Sequence, residues 1–590
     1  MVLQLRRTAI QLLNHGAMMA IVLLAGMLAL VLGFALLTVY KRTLVRHMRS
    51  AVAIGNADDQ DNCSRQTPPS QLTYNVEHLD GRHDASHAAP VSFDYTLACG
   101  AIYSAAGLIF GIVATCLLFV CSGIGFLPLR AACVAWAYAW PIVLTLNLLW
   151  SPDRRRQIAV VIIYAGVIAL FCLQSVFTGS LPSSVGTVTF PAFANPIILW
   201  AIFAAPSLFL LLFLNRTVRA VGPVLLIFGS LVFLGWHIAM VGLGTSVGMR
   251  SAQWVFASTK MGAGALLLGV TGLGLALGAG LGWLVVSRVA DGYAARRFSE
   301  QMLIVDSIWF LQTLMLCSSL AFEVGYWGAV GLVAFVPYKI VTVLGFRLFS
   351  AKLDWQPQRL LLLRVFGFGR RSSRLMDLIA ARWRYIGNIY LIAAPDLAAR
   401  TIEPGKLLSL LRGRLGRLFV HDQTELERRL VEIDEKRDPD GRFRLVELFC
   451  AGDVWRHSVK SLMTEAHIVA MDLRSFGPAH QGCVFELQTL LDTVPLERLI
   501  MLLDSTTELK FLKQVLDARW QELRVDSPNV HAATPTVHLC EVSGSSSRIV
   551  RHLMQVAAAI ARGSAYGVEP TGPEGAPSST RSREPQVIAT

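Results

Sequence analysis

Charge is scarce in this sequence. Asp, Glu, Lys and Arg make up 16% of the 590 residues, whereas 54% are hydrophobic. A soluble domain carries about 25% charged residues, so a wholly soluble chain is excluded. So apolar a composition also excludes a disordered chain or a small disulfide scaffold. The ten cysteines contain no C-x-x-C, which removes a zinc ribbon or a thioredoxin-type pair. Six of them (Cys99, Cys116, Cys121, Cys133, Cys172 and Cys317) lie in apolar runs, where they act as small hydrophobes. No G-x-x-x-x-G-K-[ST] loop occurs either, which disfavours an ATP-driven pump.

What the sequence does have is a series of long apolar runs. Met18–Tyr40 is long enough to cross about 30 Å of hydrocarbon at 1.5 Å per residue, and it ends in Lys41 and Arg42 as a retained anchor. Further runs cover Thr96–Ser122, Ala131–Trp150, Ile158–Phe177, Asn195–Leu214, Val221–Leu243, Met261–Val286, Met302–Phe322 and Trp327–Phe346. We therefore expect about nine spans, the last two joined by a tight turn at Glu323–Tyr326. No paired broken helices are evident among them. Gly274, Gly278 and Gly282 have the small-xxx-small spacing of a closely packed helix.

The net charge of +13 is placed in loops. Arg154–Arg156, Arg216 with Arg219, and Arg288 with Arg296 and Arg297 occupy alternate connections, and the segment after Phe346 is basic as well. The positive-inside rule then gives an outside N-terminus and a cytoplasmic C-terminal region, the topology of a bacterial-type inner membrane protein. Residues 347–384 hold nine Lys/Arg against two Asp, an excess suited to anionic lipid headgroups. Nucleic acid is not an expected partner, since no aromatic interleaving or motif accompanies these charges.

The expected fold class is thus a multi-pass α-helical membrane bundle followed by a cytoplasmic doubly wound α/β domain of the flavodoxin-like kind. Its parts are a transmembrane region over 1–346 with a hydrophilic loop at 41–95, a basic linker at 347–359, the α/β domain at 360–562 and a disordered tail at 563–590. Short apolar runs at Leu360–Phe366, Asn388–Ala394, Phe443–Phe449, Ile468–Leu473, Leu499–Leu503 and Val537–Val542 read as buried strands. Helical stretches alternate with them, and a homo-oligomer is the expected assembly.

Candidate functional residues fall in three places. Asp306 and Lys339 are ionisable groups in adjacent spans and are expected to pair. In the first loop, His78, His83 and His87 lie among Glu77, Asp80 and Asp84, but without fixed metal-ligand spacing. A flexible solvated loop is the stronger reading, and no metal site is expected. In an open α/β sheet, ligands bind beyond the carboxyl ends of the strands. Asp472, Arg474, Ser475, Asp504, Ser543, Gly544 and Arg548 occupy such positions. Gly367-Phe368-Gly369 is half of a dinucleotide fingerprint.

The stretch Val454–Leu487 also resembles the middle of a TIR (Toll/interleukin-1 receptor) domain. A helix leads to Ala470-Met471-Asp472-Leu473-Arg474-Ser475, then a loop, then Cys483-Val484-Phe485-Glu486-Leu487. The resemblance implies a signalling or effector role and NAD or another nucleotide as ligand. It nominates Glu486 as the carboxylate that cleaves the glycosidic bond of NAD. A transporter or channel with an appended cytoplasmic regulatory domain is the alternative.

Overall fold

The computed structural model describes residues 31, 33–43, 46, 64–78, 90–123, 125–150, 154–178, 183–185, 188–259, 262–350, 357–364, 378–392, 404–413, 419–433, 435–450 and 454–541. Among them, eight helices are long and apolar enough to cross a membrane: Tyr95–Ser122, Pro128–Leu149, Arg154–Phe177, Ala192–Leu214, Arg216–Gly244, Gly264–Ala294, Glu300–Ala321 and Trp327–Phe349. They correspond to the second through ninth expected spans. Most of Met18–Tyr40 lies outside the described residues, though 33–43 are helical. The tight turn expected at Glu323–Tyr326 is made at Gly325 (φ +62°), a left-handed position that glycine adopts without a Cβ clash.

Tyr95–Ser122 and Glu300–Ala321 lie at the centre of the bundle. Trp309 stacks on Tyr338 at 5.2 Å and meets Phe110 edge-on at the same distance. Arg216–Gly244 and Gly264–Ala294 pair at the periphery through their glycines. A Cβ on Gly235 would lie 2.5 Å from the Gly274 carbonyl oxygen, and one on Gly278 would lie 2.6 Å from that of Leu231. The small-residue spacing at Gly274–Gly282 therefore serves packing within the chain.

Three of the described spans are not uniform α-helices, contrary to the expectation of continuous helices: Trp327–Phe349 is 3-10 helix up to Ala334 and α-helix from Phe335, and two others break at prolines. Pro128–Leu149 consists of Pro128–Tyr138 and Pro141–Leu149, and Ala192–Leu214 turns from α-helix to 3-10 helix at Ala205. Pro141 and Pro206 supply the cause, since each lacks an N–H and crowds the preceding turn. The two breaks meet: Trp140 Nε1 donates to Ser207 Oγ at 2.7 Å.

The polar part is built on an eight-stranded sheet. Its strands are β1 Thr73–His78, β2 Gln358–Arg364, β3 Gly387–Ile392, β4 Phe419–Val420, β5 Leu445–Cys450, β6 Ile468–Asp472, β7 Leu499–Leu503 and β8 Thr536–Glu541. The order across the sheet is β1-β8-β7-β6-β2-β3-β5-β4, and every pairing is parallel. A parallel sheet must be covered on both faces. Accordingly Leu361, Leu363, Met471 and Met501 enter one buried cluster, and Leu360, Leu362, Ala470 and Ile500 enter another.

All six expected strands are present; Leu499–Leu503 matches its expected range, and the other described ends fall within two residues of theirs. Two departures matter. Counting only β2, β3, β5, β6, β7 and β8 gives the order 3-2-1-4-5-6, not the flavodoxin-type order 2-1-3-4-5. The reason is that β5 pairs outside β3, leaving β2 beside β6.

The second departure is β1, which comes from the hydrophilic loop expected to be flexible and solvated. Thr73–His78 pairs along its whole length with β8. Around it, Tyr74 Oη donates to Asp517 at 2.5 Å, Trp520 Nε1 donates to the Ser70 carbonyl at 2.8 Å, and Arg65 reaches Asp492 at 3.5 Å. Satisfied backbone pairing and these side-chain contacts outweigh the polarity of the segment.

This register is testable. Asn75 and His538 are paired positions whose side chains lie 3.5 Å apart. In a chain carrying Asn75→Cys, His538→Cys and a protease site within 79–89, a short bifunctional thiol reagent should keep the cleaved fragments joined on a denaturing gel. Fragments that separate as readily as those of either single variant would contradict the pairing.

Candidate functional site

The order of the sheet reverses between β2 and β6, where the chain leaves in opposite directions. Crevices form beyond the carboxyl ends of strands at such points. Arg364 and Asp472 are register partners at this end, and Asp472 also pairs with Leu502 of β7. Asp472 is buried, and its carboxylate accepts from Arg474 Nε and Nη2, each at 2.7 Å. This bidentate geometry compensates both charges for their loss of water.

Ser475 follows with φ +58°, a left-handed conformation that a residue with a Cβ rarely adopts. The surroundings hold it there. Its hydroxyl is hydrogen-bonded to Thr506 Oγ1, and Phe476 N–H donates to the Leu473 carbonyl at 3.0 Å. Beyond β7, the Asp504 carboxylate accepts from Thr506 N at 2.9 Å, and Thr507 Oγ1 donates to the Leu473 carbonyl at 3.1 Å. The two loops are thereby stitched into one polar lip. Its Ser475, Thr506 and Asp504 groups suit a hydroxylated or phosphorylated ligand. Of the candidate residues, Asp472, Arg474, Ser475 and Asp504 lie in these two connected loops. Ser543, Gly544, Arg548 and Gly367-Phe368-Gly369 lie outside the described residues.

Glu486 is placed differently from a substrate-facing carboxylate. It lies in the helix Gln481–Thr493 at 2% exposure, and its Oε2 has no hydrogen-bond partner among the described residues. Burial pushes its carboxyl up to about 8. It is not among the residues that line a cleft of about 660 Å³ between Glu425–Ile433 and β5. Nearby Cys483 is buried as well, and burial lifts the Cys450 thiol to about 11, which leaves it unreactive.

Within the spans, Lys339 Nζ donates to the Asp306 carboxylate, and Tyr338 Oη approaches the same group at 3.4 Å. Near the helix breaks lies an uncharged polar set that the sequence reading missed. Trp309 Nε1 donates to Thr145 at 3.3 Å, and Gln312 Nε2 approaches the Tyr138 carbonyl at 3.4 Å. Pro141 and Pro206 were the available signals. Among the described residues, no group of three His, Cys, Asp or Glu side chains is placed to hold a metal; His83, His87, Asp80 and Asp84 are not described.

Comparison of the chain with protein-family models, curated proteins and solved structures returns no match.

The burial of Glu486 yields a prediction with a definite sign. Its folded-state value lies above the ordinary 4.5, so the fold favours the protonated form. The stability this contributes is complete below about pH 4.5 and is lost as pH rises through about 8. Glu486→Gln should therefore raise the unfolding temperature at pH 8 and flatten the decline between about pH 5 and 8. At about 1.4 kcal/mol per unit, the gain at pH 8 is on the order of a few kcal/mol. A loss of stability at pH 8 would show that the carboxylate has a charged partner.

Proposed function

We propose that this protein is a multi-pass membrane sensor whose α/β region binds a nucleotide where the strand order reverses. The carrying observation is the order 3-2-1-4-5-6 with a polar lip beside the reversal, the arrangement dinucleotide-binding sheets use. Gly367-Phe368-Gly369 follows β2 in sequence and Ser543-Gly544 follows β8, two further stretches whose composition is compatible with phosphate. NAD and related dinucleotides are the ligand class we favour. The enclosure of Glu486 supports binding over NAD cleavage, because a catalytic carboxylate must reach the scissile bond.

The positive-inside reading makes this region cytoplasmic. Arg296 and Arg297 occupy the connection that contacts it, and β1 reaches it from another basic-flanked loop. In this reading, the bundle receives or transmits a signal set by nucleotide occupancy.

A transporter or channel is the second reading. It is favoured by the meeting of two broken helices at Trp140 and Ser207, since discontinuous helices are where transporters build their sites. Flux through proteoliposomes that survives Asp306→Asn with Lys339→Met would exclude the Asp306–Lys339 pair as its ion-handling group.

The nucleotide reading is tested by thermal unfolding of the full chain in nanodiscs against NAD, NADH, ATP and ADP. A ligand at a hundred times its Kd should stabilise by about 2.7 kcal/mol. Ser475→Gly removes the hydroxyl yet fits the left-handed backbone. It should leave the ligand-free protein as stable or more so while reducing the ligand-induced shift. A flat response across the panel would sink the proposal.

A further inference from the structure

The strongest concentration of buried charge in the described chain lies away from the polar lip, at the amino ends of β3 and β5. The turn Asp438-Pro439-Asp440-Gly441-Arg442-Phe443-Arg444 leads directly into β5. It is closed by Asp438 N–H on the Arg442 carbonyl and Gly441 N–H on the Asp438 carbonyl, each at 2.8 Å. Gly441 has φ +79°, which reserves its position for glycine.

Each charged group in this turn has a partner on a membrane helix or the short connection between helices. The Asp438 carboxylate accepts from Arg444 Nε at 3.0 Å and lies 3.7 Å from Arg296. Arg444 in turn donates to the Tyr293 carbonyl at 2.7 Å, with its guanidinium 4.0 Å over the Tyr293 ring. Asp440 accepts from Ser299 Oγ, and Arg442 donates to Gln301. From β3's side, Arg384 Nε donates to the Phe443 carbonyl at 2.7 Å and approaches Glu300 at 3.9 Å. Glu300 also accepts from Tyr293 Oη at 3.1 Å. Asp438, Asp440, Glu300, Arg384 and Ser299 are all buried.

Such a cluster has few intermediate states. Separating buried partners without admitting water leaves uncompensated charge, so the parts are either fully mated or apart and hydrated. The mated parts belong to different elements. Ser299 caps the helix Glu300–Val324 through Met302 N at 3.1 Å, and that helix carries Asp306 and Gln312. Tyr293 ends the preceding span, whereas the turn fixes where β5 begins.

We propose that the Asp438–Arg444 turn is a latch that locks the sheet to the connection between the helices ending at Ala294 and starting at Glu300. When mated, it makes sheet and bundle one cooperative unit; when open, it frees the start of the Asp306-bearing helix. Its use as a transmitter of ligand state rests on the nucleotide reading above, whereas its existence as a latch does not.

The test uses the full chain in nanodiscs with Asp438→Asn, Arg444→Gln and the double variant. Asp526→Asn, which removes an exposed carboxylate paired with Arg524, is the control. Wild type should unfold in one transition. Each single variant should split that transition and speed amide exchange over 293–303 about a hundredfold, because one buried charge is left behind. The double variant, with both charges gone, should recover much of the exchange protection. A milder variant, Ser299→Ala, reports the same exchange where a charge variant folds poorly. One unsplit transition with wild-type exchange in both single variants would overturn the latch. So would equal damage from the control. If nucleotide slows exchange over 293–303 in wild type but not in the single variants, while still stabilising their sheet, the transmitter role holds. Slowing that persists in the variants would overturn that role. No nucleotide effect on wild type would sink the nucleotide reading, with the latch still decided by the variants.

Discussion

The polar half of the molecule depends on one parallel register, Leu360–Arg364 against Ile468–Asp472. β2 is the first strand after the last membrane helix, yet it lies in the interior of the sheet, flanked by β6 and β3. Its leucines alternate between two buried clusters, so neither face tolerates a shift of one residue. Every other strand is positioned outward from it. The sheet is therefore suspended from the bundle by an interior strand, and the point where its order reverses lies beside that same strand.

How much of this the sequence revealed follows from how local each signal is. Runs such as Leu499–Leu503 are buried on both faces and stand out without any knowledge of their neighbours. The long apolar spans are equally self-evident. β1 was not legible, because Thr73-Tyr74-Asn75-Val76 is only half apolar and gains its strand character from β8, more than 450 residues away. The strand order was hidden for the same reason, since nothing in Leu445–Cys450 states that it pairs outside β3. Of the candidate site, Asp472, Arg474 and Ser475 were legible as a strand end. The stitching of their loop to Thr506 and Thr507 was not, as it joins two connections across the sheet. Glu486 misled because a helix start looks alike whether its carboxylate faces water or the core; only the packing of Leu487 and Leu490 around the same helix settles that.

Edges and interfaces follow from the same requirement that polar groups removed from water find partners. An exposed β8 would offer a row of unpaired backbone groups, and β1 occupies it. Charge at the junction with the membrane helices would be costly if left alone, and each carboxylate there meets an arginine, a hydroxyl or both. In both cases the membrane-derived segment supplies what the sheet lacks. The α/β part is thus not self-sufficient in the way a separately appended domain would be.

This arrangement constrains how the two ends of the sheet can communicate. The amino ends of β3 and β5 abut the membrane helices, and the polar lip lies at the carboxyl ends, so any influence must travel along the strands. The amino ends are also cross-tied. Arg359 of β2 pairs with Glu435 at 2.6 Å and Glu465 at 3.6 Å, Tyr390 of β3 donates to the same Glu435 at 2.9 Å, and Arg359 N–H donates to His467 Nδ1, just before β6, at 3.3 Å. With β2, β3 and β6 tied there and Phe443 N–H held on the Arg384 carbonyl at 2.6 Å, little slack remains to absorb a displacement of one strand against another. A displacement at the carboxyl ends of β2 and β6, where the strand order reverses, would then move the amino ends as a body. The first structure such a movement meets is the buried charge against Glu300 and Ser299.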